Sequence, residues 1–386
     1  MSKGFNAVLM FFIMLPCLLF GSGYGSKSLL YVQTASTLKP QRLDLGTNMR
    51  FFTKVGDFLG GQKPANFAQV NYWDVQGNVG FSYGLIEHFD ISALLRIYQD
   101  VHYQGPNFVN NREYNFPDDL WLSLKAGSFG SGKMQFGVMA QTRLPLGDVH
   151  NYAFEQYSAG GVELVFRGLF SYYNDPFINE RDFSLHANVG FHYYNDTGKE
   201  IYNDITLANA VTAPSNSGSI EYGAAFTYPT ELFDLNLELW GNTFTSEPDT
   251  FAFSRESWLY ITPSISYKPK WRYSFDLGMD IRLSSDEDTS TPLASFDGRD
   301  LDLPNYPSWK MTLGLNVILN SGKDKFRGGF DSKGNVKEKV DFYERLLQER
   351  EKTRSIEEEL RRLKREREQA EKELEELRQL LEEEGR

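Results

Sequence analysis

The chain has 386 residues, a formal charge of −12 and 15% aromatic residues. Such an acidic balance argues against a nucleic-acid partner, and the length suits one large domain with an appendage. Mean hydropathy is negative, unlike a helical membrane protein but compatible with a membrane β-barrel, in which half of each strand faces water.

Lys3 precedes an apolar run from Ala7 to Phe20 and then the small residues Gly21, Ser22, Gly23 and Gly25. This reads as a signal peptide over 1–25. Its apolar core falls short of the roughly 20 residues of a spanning helix, and no other stretch approaches that length. Cys17, the one cysteine, lies inside this segment. Export without a disulfide framework suits a bacterial envelope protein. Residues 26–42 form a lead-in that could serve as a plug.

Twelve segments between 43 and 320 then alternate apolar and polar residues. They predict strands over 43–54, 73–85, 89–99, 119–128, 134–145, 159–170, 182–194, 219–228, 232–243, 257–268, 270–283 and 307–320. Successive side chains point to opposite faces. One face is oily, with Leu45, Phe81, Ile91, Val189, Leu277 and Leu313 among its members. The other carries Asp44, Arg50, Arg96, Lys125, Arg143, Glu163, Arg167, His186, His192, Glu221, Asp234, Glu238, Asp276, Asp280, Arg282 and Lys310. An apolar outside around a wet inside is the pattern of an all-β, antiparallel transmembrane barrel. A soluble β-sandwich also alternates, but strands this long with loops lengthening on one side are unusual for it. Short connections, as at 86–88 and 229–231, alternate with long ones, as at 55–72 and 195–218, which predicts periplasmic turns and external loops.

Trp73, Trp121, Tyr172, Tyr228, Trp240, Trp258, Tyr267 and Trp271 stand near strand ends, where headgroup-depth belts are expected. Twelve strands fall between a filled barrel and an open pore. The charged face therefore reads either as a satisfied plug of ion pairs or as a narrow polar conduit.

Three short motifs carry a resemblance. The hairpin Tyr83-Gly84-Leu85-Ile86-Glu87-His88-Phe89-Asp90-Ile91, the turn Pro145-Leu146-Gly147-Asp148 and the lead-in Thr34-Ala35-Ser36-Thr37-Leu38 resemble bacterial outer-membrane transporters of the meta-pathway phenol-degradation type and related channels. Leu146 departs from the threonine usual in that turn. The resemblance covers the barrel only and implies passive import of small molecules, hydrophobic ones included. Thr312, Gly314, Val317 and Leu319 also resemble the assembly signal of outer-membrane barrels.

After a linker over 321–335 the period becomes helical. Ile356, Leu360, Leu363, Ala370, Leu374, Leu377 and Leu381 form a heptad seam within 336–386, a predicted coiled coil. A lone solvated helix supported by pairs such as Glu357 with Arg361 is the alternative. An even strand number places this helix in the periplasm, where self-association or docking of a periplasmic protein is expected. None of the five histidines sits in a nucleophile motif, so no enzyme activity and no cofactor are expected. The acidic residues of 286–302 lack the spacing of an EF-hand, and no metal is expected. The expected partners are outer-membrane lipid and small solutes. The expectation is a passive channel, with a structural anchor whose barrel is plugged as the alternative.

Overall fold

Period-two alternation across long segments leaves each strand with one face that must avoid water and one that must keep it, and a closed sheet satisfies both. A computed structural model of the chain describes residues 28–55, 71–104, 110–130, 133–151, 154–175, 182–202, 211–230, 232–270, 272–285, 287, 289–290 and 305–321 of one unit, Met1–Lys323. Its strands are β1 (Arg42–Val55), β2 (Asn71–Ile86), β3 (Phe89–Gln104), β4 (Asn110–Asn115), β5 (Asp119–Phe129), β6 (Met134–Pro145), β7 (Glu163–Tyr173), β8 (Ser184–Tyr193), β9 (Glu200–Tyr202), β10 (Val211–Thr212), β11 (Gly218–Pro229), β12 (Phe233–Ser246), β13 (Trp258–Lys270), β14 (Tyr273–Arg282) and β15 (Trp309–Ser321).

Among the described residues, β1, β2, β3, β5, β6, β7, β8, β11, β12, β13, β14 and β15 pair antiparallel in that cyclic order, and β15 closes on β1. The result is a twelve-stranded barrel with no open edge. Each predicted strand overlaps one of these twelve. β4 was not foreseen: it continues the line of β5 along β3, facing Gln99–Gln104 where β5 faces Phe89–Arg96. The β9–β10 pair lies in the connection between β8 and β11. The break between β13 and β14 falls beyond Lys270, two residues later than the predicted strand ends at 268 and 270 place it.

Exposure along β14 runs opposite to that of a water-soluble sheet. Tyr273, Phe275, Leu277, Met279 and Ile281 are 40–46% exposed, whereas Asp276 and Asp280 are 7% and 1% exposed. Val138, Phe166 and Val189 are likewise exposed on their strands. Such a continuous apolar exterior fits a hydrocarbon surround.

The alternation changes phase once on β3. Gly77 faces Tyr98 and Asn78 faces Arg96, leaving Ile97 as an extra residue. Beyond this bulge Gln99 and Val101 are fully buried, with Asp100 between them at 6%, and Val101 packs with Phe52 and Phe154 inside the barrel.

In the second unit, Asp324–Arg386, the described residues 362–364, 366–367 and 369 are helical. Arg362 and Glu366 pair at 2.8 Å one turn apart. Leu363 is 60% exposed. A coiled coil is therefore not shown, because Ile356, Leu360, Ala370, Leu374, Leu377 and Leu381 lie outside the described residues. So do the segment 1–25 and the linker beyond Ser321.

Candidate functional site

The chain before β1 runs inside the barrel. Having no sheet partner, it must find acceptors for its backbone N–H groups elsewhere, and polar side chains of the wall supply them. Leu38 donates to both oxygens of Asp90 at 3.0 and 2.8 Å. Thr37 donates to Ser128 Oγ at 2.8 Å and Ala35 to Ser171 Oγ at 2.8 Å. Gln33 donates to Asn188 Oδ1 at 2.6 Å, and the Asn188 amide returns a bond to the Gln33 carbonyl at 2.7 Å. Lys125 Nζ donates to the Thr34 carbonyl at 3.1 Å. Leu30, Tyr31 and Val32 all donate to the Glu238 carboxylate, at 2.9, 2.8 and 2.7 Å. A turn from Leu29 N–H to the Val32 carbonyl reverses the segment at this depth.

The segment presses close to the wall. A Cβ on Gly84 or Gly127 would stand 2.2 Å from the carbonyl oxygen of Lys39 or Ala35, so only glycine admits the segment there. Leu30, Val32, Ala35 and Leu38 are at most 3% exposed.

A second segment enters from the long-loop end. Within 146–162, Phe154 and Tyr157 are 0% and 2% exposed. Glu155 bonds Lys310 and lies 3.8 Å from Arg96, while Lys310 also reaches Asp74 at 3.0 Å. Burial alone would raise the Glu155 pKa, but the charges of Lys310 and Arg96 outweigh it and hold the carboxyl at about 2.

Between these segments, ion pairs run around the wall from strand to strand. Arg96 pairs with Asp118 at 3.1 Å. Arg143 pairs with Asp119 at 2.5 Å and Glu163 at 3.4 Å. His192 lies between Glu163 at 2.9 Å and Glu221 at 3.0 Å, and Glu221 accepts from Arg167 at 2.6 Å. The guanidinium groups of Arg96 and Arg143 lie 4.8 and 5.1 Å from the Trp121 ring centroid. A cavity of about 110 Å³ remains, lined by Tyr31, Gln33, Arg96, Trp121, Arg143, Glu155, Glu163, Arg167, His192, Glu221 and Trp240, among others. It has room for a cluster of waters or one small solute.

The other residues singled out from sequence are spread along the same wall. Arg50 lies 4.6 Å from the Tyr31 ring centroid. His186 bonds Ser171 at 2.8 Å and Ser184 at 3.0 Å. Asp280 accepts from Thr262 at 2.8 Å and from the Tyr31 hydroxyl. Asp276 accepts from Asn316 at 2.9 Å and Arg282 donates to the Tyr306 carbonyl at 2.6 Å. Asp44 pairs with Arg42 at 2.9 Å and Asp234 with Lys268, both away from the cavity lining.

Sequence reasoning missed Tyr31, Asp74, Asp90, Asp118, Asp119, Glu155 and Asn188. Asp74 and Asp90 stand in the polar phase of their strands and could have been found that way. Tyr31, Asp118 and Glu155 lie outside strands and carry no such signal. Trp121, Trp240 and Trp258, expected in a headgroup belt, face the interior instead. Trp121 and Trp258 are 8% and 5% exposed, and Trp240 stacks on Tyr31. Among the described residues no cluster of His, Cys, Asp or Glu is placed to hold a metal.

No protein-family model and no curated protein matches the chain. Solved structures do. An outer membrane channel from Pseudomonas putida F1 aligns over 74% of this chain and 98% of its own, at 7% identity and TM-score 0.48. The NanC porin aligns over 72% of this chain and 100% of its own, at 10% identity and TM-score 0.41. The Ralstonia pickettii toluene transporter TbuX aligns over 78% and 99%, at 8% identity and TM-score 0.38. The barrel resembles bacterial outer-membrane proteins.

Proposed function

We propose that the chain is a passive outer-membrane channel for small molecules, with residues 28–40 seated in the lumen in its resting state. The observation that carries this reading is the way the segment is held. Side-chain acceptors of the wall meet its backbone N–H groups one by one, from Asp90 at Leu38 to Glu238 at Leu30. Bonds to the hydroxyl and amide acceptors contribute about 0.5–1.5 kcal/mol net and those to the carboxylates about 1.5–3, and water can take the place of either once the lumen is wet. Arg143 with Asp119 and Arg167 with Glu221 pair along the circumference and would keep these partners with the segment gone. Displacement of the segment opens the conduit.

Planar-bilayer recordings of the full chain and of a chain lacking residues 28–38 test this. Small or rare current steps from the first and large, steady ones from the second are expected. Silence from both would overturn the reading and favour a structural anchor. The buried segment itself favours that second reading: a filled barrel would leave the C-terminal helix as the working part. In either case the helix is assigned to the periplasm, where its seam from Ile356 to Leu381 would serve self-association or dock a periplasmic protein.

A further inference from the structure

The inner faces of β12 and β14 hold two carboxylates, Glu238 and Asp280, that are 0% and 1% exposed. Neutral donors supply the hydrogen bonds to Glu238, whereas Asp280 also draws on the charges of Arg50 and Lys310. Glu238 takes the backbone N–H groups of Leu30, Tyr31 and Val32 within 2.9 Å, and Asp280 takes the hydroxyls of Tyr31 and Thr262. Between them the Tyr31 ring lies flat on Trp240, with centroids 3.6 Å apart and planes 12° from parallel. The neighbouring strands leave room for this occupant. A Cβ on Gly278 would meet Leu30 at 2.3 Å, and one on Gly223 would meet Val32 at 2.9 Å.

Buried carboxylates are matched best by a cation, which pairs with the charge as well as hydrogen-bonding to it. Here a piece of the same chain supplies a flat ring, a hydroxyl and a row of N–H groups without the charge. Once it leaves, it uncovers an indole face beside two carboxylates, the complement of an organic cation bearing a ring. We infer that Glu238, Trp240 and Asp280 form a binding site for small aromatic amines, which Tyr31 and its flanking amides occupy as an internal competitor. The inference rests on the reading that residues 28–40 can vacate the lumen. A competitor built into the chain lowers apparent affinity by the fraction of time it stays seated. Removing its ring should raise affinity.

Calorimetric titration of the full, detergent-solubilised chain with tyramine tests the site. Tyr31→Ala is expected to bind tyramine at least tenfold more tightly than the unaltered chain. Adding Glu238→Gln, or separately Trp240→Leu, is expected to lose at least tenfold of that affinity. Asp234→Asn, on a carboxylate paired with Lys268 elsewhere, should leave it unchanged. 4-Methylphenol, which keeps the ring and hydroxyl but lacks the ammonium, should bind at least tenfold more weakly than tyramine. Equal binding of the two probes, or affinity indifferent to Glu238→Gln, would overturn the inference. If the chain lacking residues 28–38 conducts while tyramine fails to bind Tyr31→Ala, the site falls and the channel stands. If tyramine binds and no variant conducts, the site stands and the channel falls.

Discussion

Gly84 has a reason to be glycine that lies outside its own hairpin: the Lys39 carbonyl would sit 2.2 Å from any Cβ placed there. Gly84→Val is therefore expected to unseat the segment's base while leaving the strand pairing of β2 intact, and to raise single-channel conductance several-fold. Unchanged current would show that the segment tolerates the intrusion. In sequence the motif from Tyr83 to Ile91 reads as a hairpin. In the structure two of its residues, Gly84 and Asp90, are docking points for the lead-in motif Thr34 to Leu38. Their alliance is invisible in sequence because the two motifs meet only in space. Glu155 is the other residue of this kind. Its carboxyl, held at about 2 by Lys310 and Arg96 against an ordinary value of 4.5, contributes stability that is fully present above the ordinary range. That contribution is lost as pH falls from there through about 2. Amide protection at residues 154–158, taken relative to the intrinsic exchange rate at each pH, should be high at pH 7 and low at pH 2, and Glu155→Gln should reproduce the low protection at neutral pH. Removing one partner of a buried pair costs about 3–5 kcal/mol, enough to free a loop. Protection that persists at pH 2 would contradict this.

At the scale of the strand, alternation was legible because lipid and lumen impose opposite demands on neighbouring residues. Leu277 at 44% and Asp276 at 7% exposure show how steep that division is. Leu277→Arg should cost about 2–4 kcal/mol when the barrel is folded into vesicles across a urea series, the range for a cation near the bilayer midplane. Leu277→Val should cost well under half of that. Comparable effects from both would argue against a lipid-facing wall. Two features escaped the pattern, each for its own reason. The extra residue at Ile97 shifts the phase of β3, and period-two reading has no means of placing such a shift. Trp240 obeys the inward phase of β12, as Glu238 does, yet an aromatic residue near a strand end also satisfies a belt. Its stacking on Tyr31 decides between them, and Tyr31 belongs to no strand.

For the whole molecule, charge is distributed by role. The residues from Val336 to Arg386 include 14 basic and 17 acidic ones, leaving 26 basic and 35 acidic for the remainder. Much of the barrel's charge is spent inside it, on pairs such as Arg143 with Asp119 and Lys310 with Asp74. Deleting residues 336–386 is expected to leave barrel folding unchanged and to lower the sedimentation coefficient in detergent to that of a single barrel. An unchanged oligomeric state would sink the self-association proposal. The most direct measurement is labelling of single cysteines at adjacent wall positions with a maleimide dissolved in lipid and with a water-soluble one. Val189→Cys and Leu277→Cys should react with the lipid-dissolved reagent while Asn188→Cys and Asp276→Cys stay dark. Equal labelling of neighbouring positions would contradict a wall that divides hydrocarbon from a polar interior.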